Sequence, residues 1–167
     1  MKAFDTMDDS ILLARDDQHI VTLTLNSPDK MNAMNLDMWQ RLGDLMQQLD
    51  ADDTVRCIVV TGAGERAFSA GADIEEFPRT RLNKPQALAY GRVTHRAMQA
   101  MAQSRHPTLA VIHGACVGGG LELASVCDMR ICGESSRFGA PINRLGLVMS
   151  YGELSGLVNL AGRAVAL

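Results

Sequence analysis

Apolar and polar positions repeat with two different periods in the first third of this chain. Residues 11–26 alternate in two runs separated by Asp16-Asp17-Gln18, and a period of two interrupted by polar residues predicts a β-hairpin. After Asn35, a residue suited to capping a helix, apolar residues recur every three or four positions up to about Asp52. This spacing predicts a helix whose buried face comprises Leu36, Trp39, Leu42, Leu45, Met46 and Leu49.

The middle of the chain contains two short apolar runs, Cys57–Thr61 and Thr108–Ile112. Their length and composition predict buried strands of a parallel sheet. Between them, helical spacing from Pro85 to Arg105 predicts a helix with methionines in the core. The turn Gly62-Ala-Gly64 is similar to the dinucleotide fingerprint, but residues 68–73 continue as a loop where that fingerprint needs a helix, so we exclude a Rossmann domain.

The last part of the chain continues the alternation of strands and helices. Asp128–Cys132 predicts a strand, Arg137–Pro141 a short extended piece and turn, and the residues from Ser150 through Leu160 a helix. Residues 163–167 keep a helical pattern without a Gly or Pro stop. We therefore expect one α/β domain over residues 1–167, forming the front part of a longer protein.

Composition narrows the possible partners and location. With 167 residues and 47% apolar content the chain can bury a substantial core. A net charge of −3 and scattered basic residues argue against nucleic acid as the main partner. No apolar run approaches membrane-spanning length, and the acidic N-terminal region lacks the pattern of a secretory signal, so we expect a cytoplasmic protein without a membrane partner.

The cysteines and histidines lack the spacing of a metal site. No C-x-x-C occurs, and the four cysteines lie in or beside apolar strands or the Gly-rich turn, which predicts buried free thiols. We therefore predict no metal. His113, which precedes the Gly-rich turn, is interpreted as a packed core residue. The cysteines are Cys57, Cys116, Cys127 and Cys132.

The stretch with the clearest chemical potential is Gly118-Gly-Gly-Leu-Glu122, which follows the second buried strand. Glycines between a strand and a helix bring bare backbone N–H groups to a helix N-terminus, where negative charge is favoured. Glu122 would lie in the first helical turn, suited to proton transfer beside an oxyanion. The alternative is that these glycines only let the helix pack closely.

A second loop, Ser69-Ala-Gly-Ala-Asp73, follows the first buried strand and complements the Gly-rich turn. Loops at the carboxyl ends of parallel strands converge, so one N–H from each could point at a single oxygen. That arrangement is an oxyanion hole, in which each donor contributes roughly 2.7–4 kcal/mol to transition-state stabilisation.

With both loops considered, the chain resembles the crotonase superfamily, also called the enoyl-CoA hydratase/isomerase family. The resemblance implies a ββα spiral fold and a coenzyme A thioester as ligand. Family members continue into a C-terminal helical region that closes the acyl pocket and packs trimers, and this chain would lack that region. The matching segments, in family order, are 25–33, 58–62, 67–73, 110–122, 127–131 and 138–141.

The resemblance also implies roles for individual residues. Ala72 and Gly119 would donate their N–H groups to the thioester oxygen, and Glu122 would act as general acid and base. Ala33 and Ala70 would border the coenzyme A, and Lys30 would lie near its phosphates. No cofactor is implied beyond the coenzyme A of the substrate, and a homo-oligomer, trimer or hexamer, is expected. Further substrate-binding positions are Asp73, Ile74, Gly118 and Ile142.

One departure from the family pattern leaves the reaction open. Enoyl-CoA hydratases use a second glutamate at the position where this chain has Ile142. Glu153 is a possible second acid, or it only stabilises the start of its helix, as Asp73 would for a short helix from Ile74 to Phe77. Hydration of a 2-enoyl-CoA is the favoured reaction. Single-acid isomerisation, hydration with retro-aldol cleavage, decarboxylation and a non-catalytic binding or assembly fragment are the alternatives.

Overall fold

A computed structural model describes residues 9–146 and 148–166. Its larger sheet has five strands in the order β1-β2-β3-β5-β7. The first pair is antiparallel, which confirms the predicted hairpin, and every other neighbouring pair is parallel. The strands are β1 (Ile11–Arg15), β2 (Ile20–Leu25), β3 (Cys57–Gly62), β5 (Thr108–Ile112) and β7 (Met129–Cys132).

A second, smaller sheet carries three parallel strands in the order β4-β6-β8. These strands are β4 (Ala67–Ser69), β6 (Ala115–Val117) and β8 (Arg137–Gly139). The sequence predicted an extended piece for β8 but loop or turn for β4 and β6, and those two interpretations were wrong. Strands of three residues are too short to show an alternating pattern, and they are held in place by pairing with each other.

The helices agree with the sequence in place and in their caps. They are α1 (Leu36–Asp50), α2 (Phe77–Thr80), α3 (Lys84–Ala102), α4 (Gly119–Val126), α5 (Tyr151–Ala161) and α6 (Arg163–Ala166). The Asn35 side chain accepts from Met38 N at the start of α1, as predicted. The short helix after Asp73 is longer than expected, since a 3-10 turn at Ile74–Glu76 leads into α2. Gly162, at φ 73°, separates α5 from α6, where a continuous helical pattern was expected.

The core lies between the larger sheet and the packed helices α1 and α3. In β2 and β3 every second residue is buried, and α1 buries the predicted face apart from half-buried Leu36. Met98 and Met101 of α3 are buried, which confirms their assignment to the core. None of the described helices has the length and apolar content needed to cross a bilayer.

The cysteine prediction is correct only in part. Cys116 and Cys127 are buried free thiols, and desolvation raises the pKa of each to about 12. Cys57 is half-buried, whereas Cys132 is exposed, contrary to the prediction. The reason is that β7 is an edge strand of the larger sheet and leaves its side chains uncovered, including Ile131.

Asn32 links three loops that converge on the small sheet. Its backbone has φ 55°, its side chain is fully buried, and its amide donates to Ala63 O at 2.9 Å and Ala67 O at 2.8 Å. Its side-chain oxygen accepts from Ser27 N, and its backbone oxygen accepts from the Ser69 hydroxyl at 2.8 Å. One side chain therefore fixes the loop before α1 against the ends of β3 and β4.

Replacing Asn32 with Ala should lower the free energy of unfolding by about 2–4 kcal/mol, because buried carbonyls lose their donors and alanine is strained at positive φ. Urea unfolding would measure the loss. Asn26→Ala is the matched control, since Asn26 makes one exposed side-chain bond to Asp9 O, and it should cost under about 1 kcal/mol. Equal losses in the two variants would contradict the linking role of Asn32.

Candidate functional site

The turn after β4 and the turn after β6 touch through their backbones. A Cβ on Gly71 would lie 2.8 Å from Val117 O and 3.0 Å from Gly119 N. A Cβ on Gly120 would lie 2.6 Å from Ser69 O. Such contacts are too short for any side chain, so glycine at both positions permits the approach. Gly71 also has φ 95°, a conformation that favours glycine.

The backbone N–H groups of Ala72 and Gly119 have no backbone acceptor among residues 9–146 and 148–166. Met34 donates to Gly71 O at 2.7 Å and accepts from Asp73 N at 2.9 Å, so the N–H of Ala72 between them faces away from Met34. Gly119 is the first residue of α4, where an N–H has no acceptor within the helix. Ala72 N lies 3.6 Å from where a Gly119 Cβ would be, so the two residues are close neighbours.

Both turns open onto a mostly apolar cavity of about 140 Å³. Its walls come from α1, α3, α4, the start of α5 and the segment after β8. Charged side chains on the walls are Arg81, Glu122 and Glu153. Apolar residues on the walls include Trp39, Phe77, Met98, Leu145 and Met149.

Glu122 lies on the first turn of α4, half-buried against this cavity. Its carboxyl group forms no hydrogen bond or ion pair with the described part of the chain. Burial raises the pKa of Glu122 to about 8, the charge of Glu153 acts in the same direction, and Arg81 opposes the shift. The carboxyl group is therefore largely protonated at neutral pH and able to exchange its proton near pH 8.

Glu153 lines the same cavity but is already engaged at the start of α5. Its carboxylate accepts from Ser150 N, and the Ser150 hydroxyl accepts from Glu153 N, so the pair forms a capping box. The helix-stabilising interpretation of Glu153 is therefore confirmed. The charge of Glu153 also contributes to the raised pKa of Glu122.

The other residues named from the sequence divide into two groups. Those that line the cavity are Ala70, Ala72, Ile74, Gly118, Gly119 and Ile142. Lys30, Ala33 and Asp73 lie outside it. The Lys30 ammonium contacts Asp73 at 2.7 Å and Glu75 at 2.8 Å, and these bonds raise the pKa of Lys30 while lowering that of Asp73. Asp73 also accepts from Glu75 N, which confirms the predicted cap.

Sequence reasoning missed the polar groups at the α1–α3 side of the cavity, namely Trp39, Arg81 and Tyr90. Trp39 and Tyr90 fit the apolar faces of their helices, and their spacing gave no sign of a role at a site. Arg81 lies between α2 and α3 outside any periodic pattern. His113 lies outside the cavity, but it is half-buried rather than part of the core cluster, so its predicted core position is only partly correct. Within residues 9–146 and 148–166, no group of three or more His, Cys, Asp or Glu side chains could hold a metal ion.

Comparison with known proteins identifies the family. The sequence profile of the enoyl-CoA hydratase/isomerase family matches residues 15–167. The chain belongs to this family, which is part of the crotonase superfamily, and it has the crotonase fold.

Individual relatives show the extent of the similarity. The crystal structure of an enoyl-CoA hydratase/carnithine racemase from Magnetospirillum magneticum superposes with a TM-score of 0.92 at 46% identity, over 97% of this chain and 60% of that one. The short-chain-enoyl-CoA hydratase of Clostridium acetobutylicum is 31% identical over 88% of this chain and 56% of its own length. A mouse mitochondrial Delta(3,5)-Delta(2,4)-dienoyl-CoA isomerase is 30% identical over 92% and 50%. The chain thus spans between half and about three fifths of these relatives.

Replacing Gly120 with Ala should separate the two turns, because the new methyl group would overlap backbone and side chain of Ser69. We expect a loss of about 1–3 kcal/mol in the free energy of unfolding, measured in urea. Gly91→Ala in α3 is the matched control, since its Cβ would meet nothing within 4 Å, and it should add up to about 1 kcal/mol. A Gly120→Ala protein as stable as wild type would show that the contact is not tight.

Replacing Glu122 with Gln should change how stability depends on pH. The carboxyl ionises near 4.5 when unfolded and near 8 when folded, so the folded state binds the proton more tightly. The stability contributed by this group is complete below about pH 4.5 and is lost as pH rises towards about 8. The free energy of unfolding of Glu122→Gln relative to wild type should therefore increase across that window in urea titrations. Glu134→Gln, at an exposed glutamate, is the control for the substitution, and a flat difference for Glu122→Gln would refute the burial effect.

Proposed function

We propose that this site binds an acyl-CoA thioester and stabilises its enolate, with hydration of a 2-enoyl-CoA as the favoured reaction. The amides of Ala72 and Gly119 donate to the thioester oxygen as an oxyanion hole. Negative charge develops on that oxygen when water adds at the β carbon, so donors aimed at it lower the barrier. Glu122 transfers the proton as general acid and base.

The observation that carries this proposal is the proximity of Ala72 and Gly119, whose amides have no acceptor among the described residues, at the wall of a cavity that Glu122 also lines. Ala72 N lies 3.6 Å from the Cβ position of Gly119, and both residues line the cavity. Two N–H groups without acceptors favour an oxygen that carries charge. Family membership supports the same ligand class.

The titration of Glu122 supports its role in proton transfer. A general acid or base works best when its pKa is close to the operating pH. With a pKa near 8, the Glu122 carboxyl can deliver a proton to the α carbon of the enolate and recover one from water with little energy difference.

A second candidate is a reaction that needs a single acid, such as double-bond isomerisation. The observation in its favour is that Ile142 replaces the expected second glutamate while the Glu153 carboxylate accepts from the N-terminus of α5. Relatives named as a hydratase and as a dienoyl-CoA isomerase show that the family includes both chemistries.

The remaining contacts follow from the same proposal. Ala70 borders the coenzyme A from the cavity wall and Ala33 from the neighbouring loop. Lys30 binds a phosphate only by breaking its ion pairs with Asp73 and Glu75. The protein acts in the cytoplasm as a homo-oligomer, trimer or hexamer. Exposed apolar side chains at the edge strands, including Ile131 and Phe138, support such association.

Replacing Glu122 with Gln in the full-length protein should reduce turnover by about 10²–10⁴-fold, because the proton donor is lost. Acetoacetyl-CoA, whose thioester oxygen needs only the two amides, should bind with nearly unchanged affinity in calorimetry. Crotonyl-CoA hydration and 3-enoyl-CoA isomerisation, assayed in parallel, identify the reaction. Glu134→Gln is the control on an exposed glutamate. Unchanged turnover in Glu122→Gln would refute its role, and failure of the wild type to bind acetoacetyl-CoA would refute the ligand class.

Glu153→Gln decides between the two candidates. Under the two-acid hypothesis the hydration rate of the folded variant should fall by at least about tenfold, because one proton carrier is missing. Under the single-acid hypothesis, turnover should remain within about threefold of wild type, and the melting temperature should change little because glutamine can still accept from Ser150 N.

A further inference from the structure

Arg81 is a cation at the cavity with no anionic partner. Its guanidinium carbon lies 4.7 Å from the centre of the Phe77 ring and 5.1 Å from that of Tyr90, and these rings meet edge to face. The guanidinium makes no hydrogen bond or ion pair with residues 9–146 or 148–166. The two aromatic contacts hold the guanidinium at the cavity wall while its N–H donors remain unused.

Two further polar groups at the same side of the cavity lack partners. Trp39 is 2% exposed and Tyr90 4% exposed, and neither the indole N–H nor the phenol hydroxyl has a hydrogen-bond partner in the described chain. The indole lies near enough to the Tyr90 hydroxyl to lower its pKa slightly against the larger effect of burial, but short of good hydrogen-bond geometry. An unpaired polar group in such a place costs about 1–3 kcal/mol.

The carboxylates already in the cavity do not satisfy Arg81. Glu153 accepts from Ser150 N at the start of α5, and Glu122 forms no ion pair with the guanidinium. His95, the remaining titratable side chain of the cavity wall, lies against Gly152 rather than against Arg81 or its two rings. The guanidinium is therefore available to a ligand.

These groups do not suit a plain alkyl chain. An alkyl chain would displace water from the guanidinium and leave the Tyr90 hydroxyl unpaired, at a cost in free energy. A carboxylate would accept from both and form charge-assisted hydrogen bonds with the guanidinium. The cavity of about 140 Å³ is comparable in volume to the roughly 150 Å³ cavity that holds benzene.

We propose that the acyl group of the natural substrate ends in a carboxylate, bound by the Arg81 guanidinium and the Tyr90 hydroxyl in the cavity that the Ala72 and Gly119 turns also line. This assignment rests on the proposed acyl-CoA function and adds the substrate class. Arg81 and Tyr90 are specificity residues in this proposal and take no part in proton transfer.

The test compares two five-carbon 2-enoyl-CoA thioesters that differ at the last carbon, glutaconyl-CoA with a carboxylate and pent-2-enoyl-CoA with a methyl group. Wild type should favour glutaconyl-CoA by about 10–100-fold in kcat/KM. Arg81→Gln should abolish that preference, measured as the ratio of kcat/KM for the two thioesters, because the charge of Arg81 also acts on Glu122 and its removal changes the rates on both substrates together. Arg79→Gln, which removes an exposed cation outside the cavity, should change neither.

Tyr90→Phe is the second variant, because it removes only a hydroxyl that has no hydrogen-bond partner and should fold like wild type. It should raise KM for glutaconyl-CoA by about 5–15-fold and leave that for pent-2-enoyl-CoA unchanged.

Several results would overturn the proposal. They are a wild-type preference for pent-2-enoyl-CoA, an equal loss on both thioesters in a folded Arg81→Gln protein, and no effect of Tyr90→Phe on glutaconyl-CoA. An equal loss, together with weaker binding of free coenzyme A, would place Arg81 at the coenzyme instead. Failure of the wild type to bind either thioester removes the acyl-CoA function itself. Turnover of pent-2-enoyl-CoA without a preference for glutaconyl-CoA removes only the carboxylate.

Discussion

The contact between the backbones of two turns is the constraint on which the site depends. Ser69 O approaches the Cβ position of Gly120 to 2.6 Å, and Val117 O approaches that of Gly71 to 2.8 Å. With side chains at these positions the turns would stand apart, and Ala72 and Gly119 would no longer be close neighbours. The small sheet supports this contact, because pairing of β4 with β6 brings the two turns to the same edge of the sheet.

The approach of the turns is held by hydrogen bonds rather than by apolar packing. Asn32 donates to Ala63 O and Ala67 O, while the Ser69 hydroxyl donates to Asn32 O and accepts from Gly71 N at 3.1 Å. Asn32 and Ser69 are both fully buried, so water cannot replace these bonds. A loop of irregular backbone is thereby made as rigid as the strands beside it, which is the condition for donors to be aimed before a ligand arrives.

The sequence predicted those features that depend on neighbours along the chain. Asn35 marks the start of α1, apolar runs mark β3 and β5, and the glycine triplet marks the start of α4. The convergence of the Ala72 and Gly119 turns was also predicted, because parallel strands end at a common edge. Features that depend on distant partners were missed. The strands β4 and β6 are defined only by their pairing with each other. Arg81 lines the cavity because its guanidinium packs against the rings of Phe77 and Tyr90.

Lys30 illustrates a different limit. The family resemblance implied a cation free to meet a phosphate, but the turn after β4 carries Asp73 and Glu75 within reach of its ammonium. A motif records which residue occupies a position and not how its charge is balanced. Ile142 is a second case, because an apolar residue of the cavity wall occupies the position where the family resemblance implied an acid.

The capping box at the start of α5 gives Glu153 two duties that compete. As long as its carboxylate accepts from Ser150 N, the first turn of α5 is capped and the adjacent cavity wall keeps its shape. If the same carboxylate swings inward to take up a proton, that turn loses its seal and the enclosure it borders loosens. Proton transfer by Glu153 would thus be coupled to opening of the cavity. An acid at this position would link proton uptake to release of the molecule bound there.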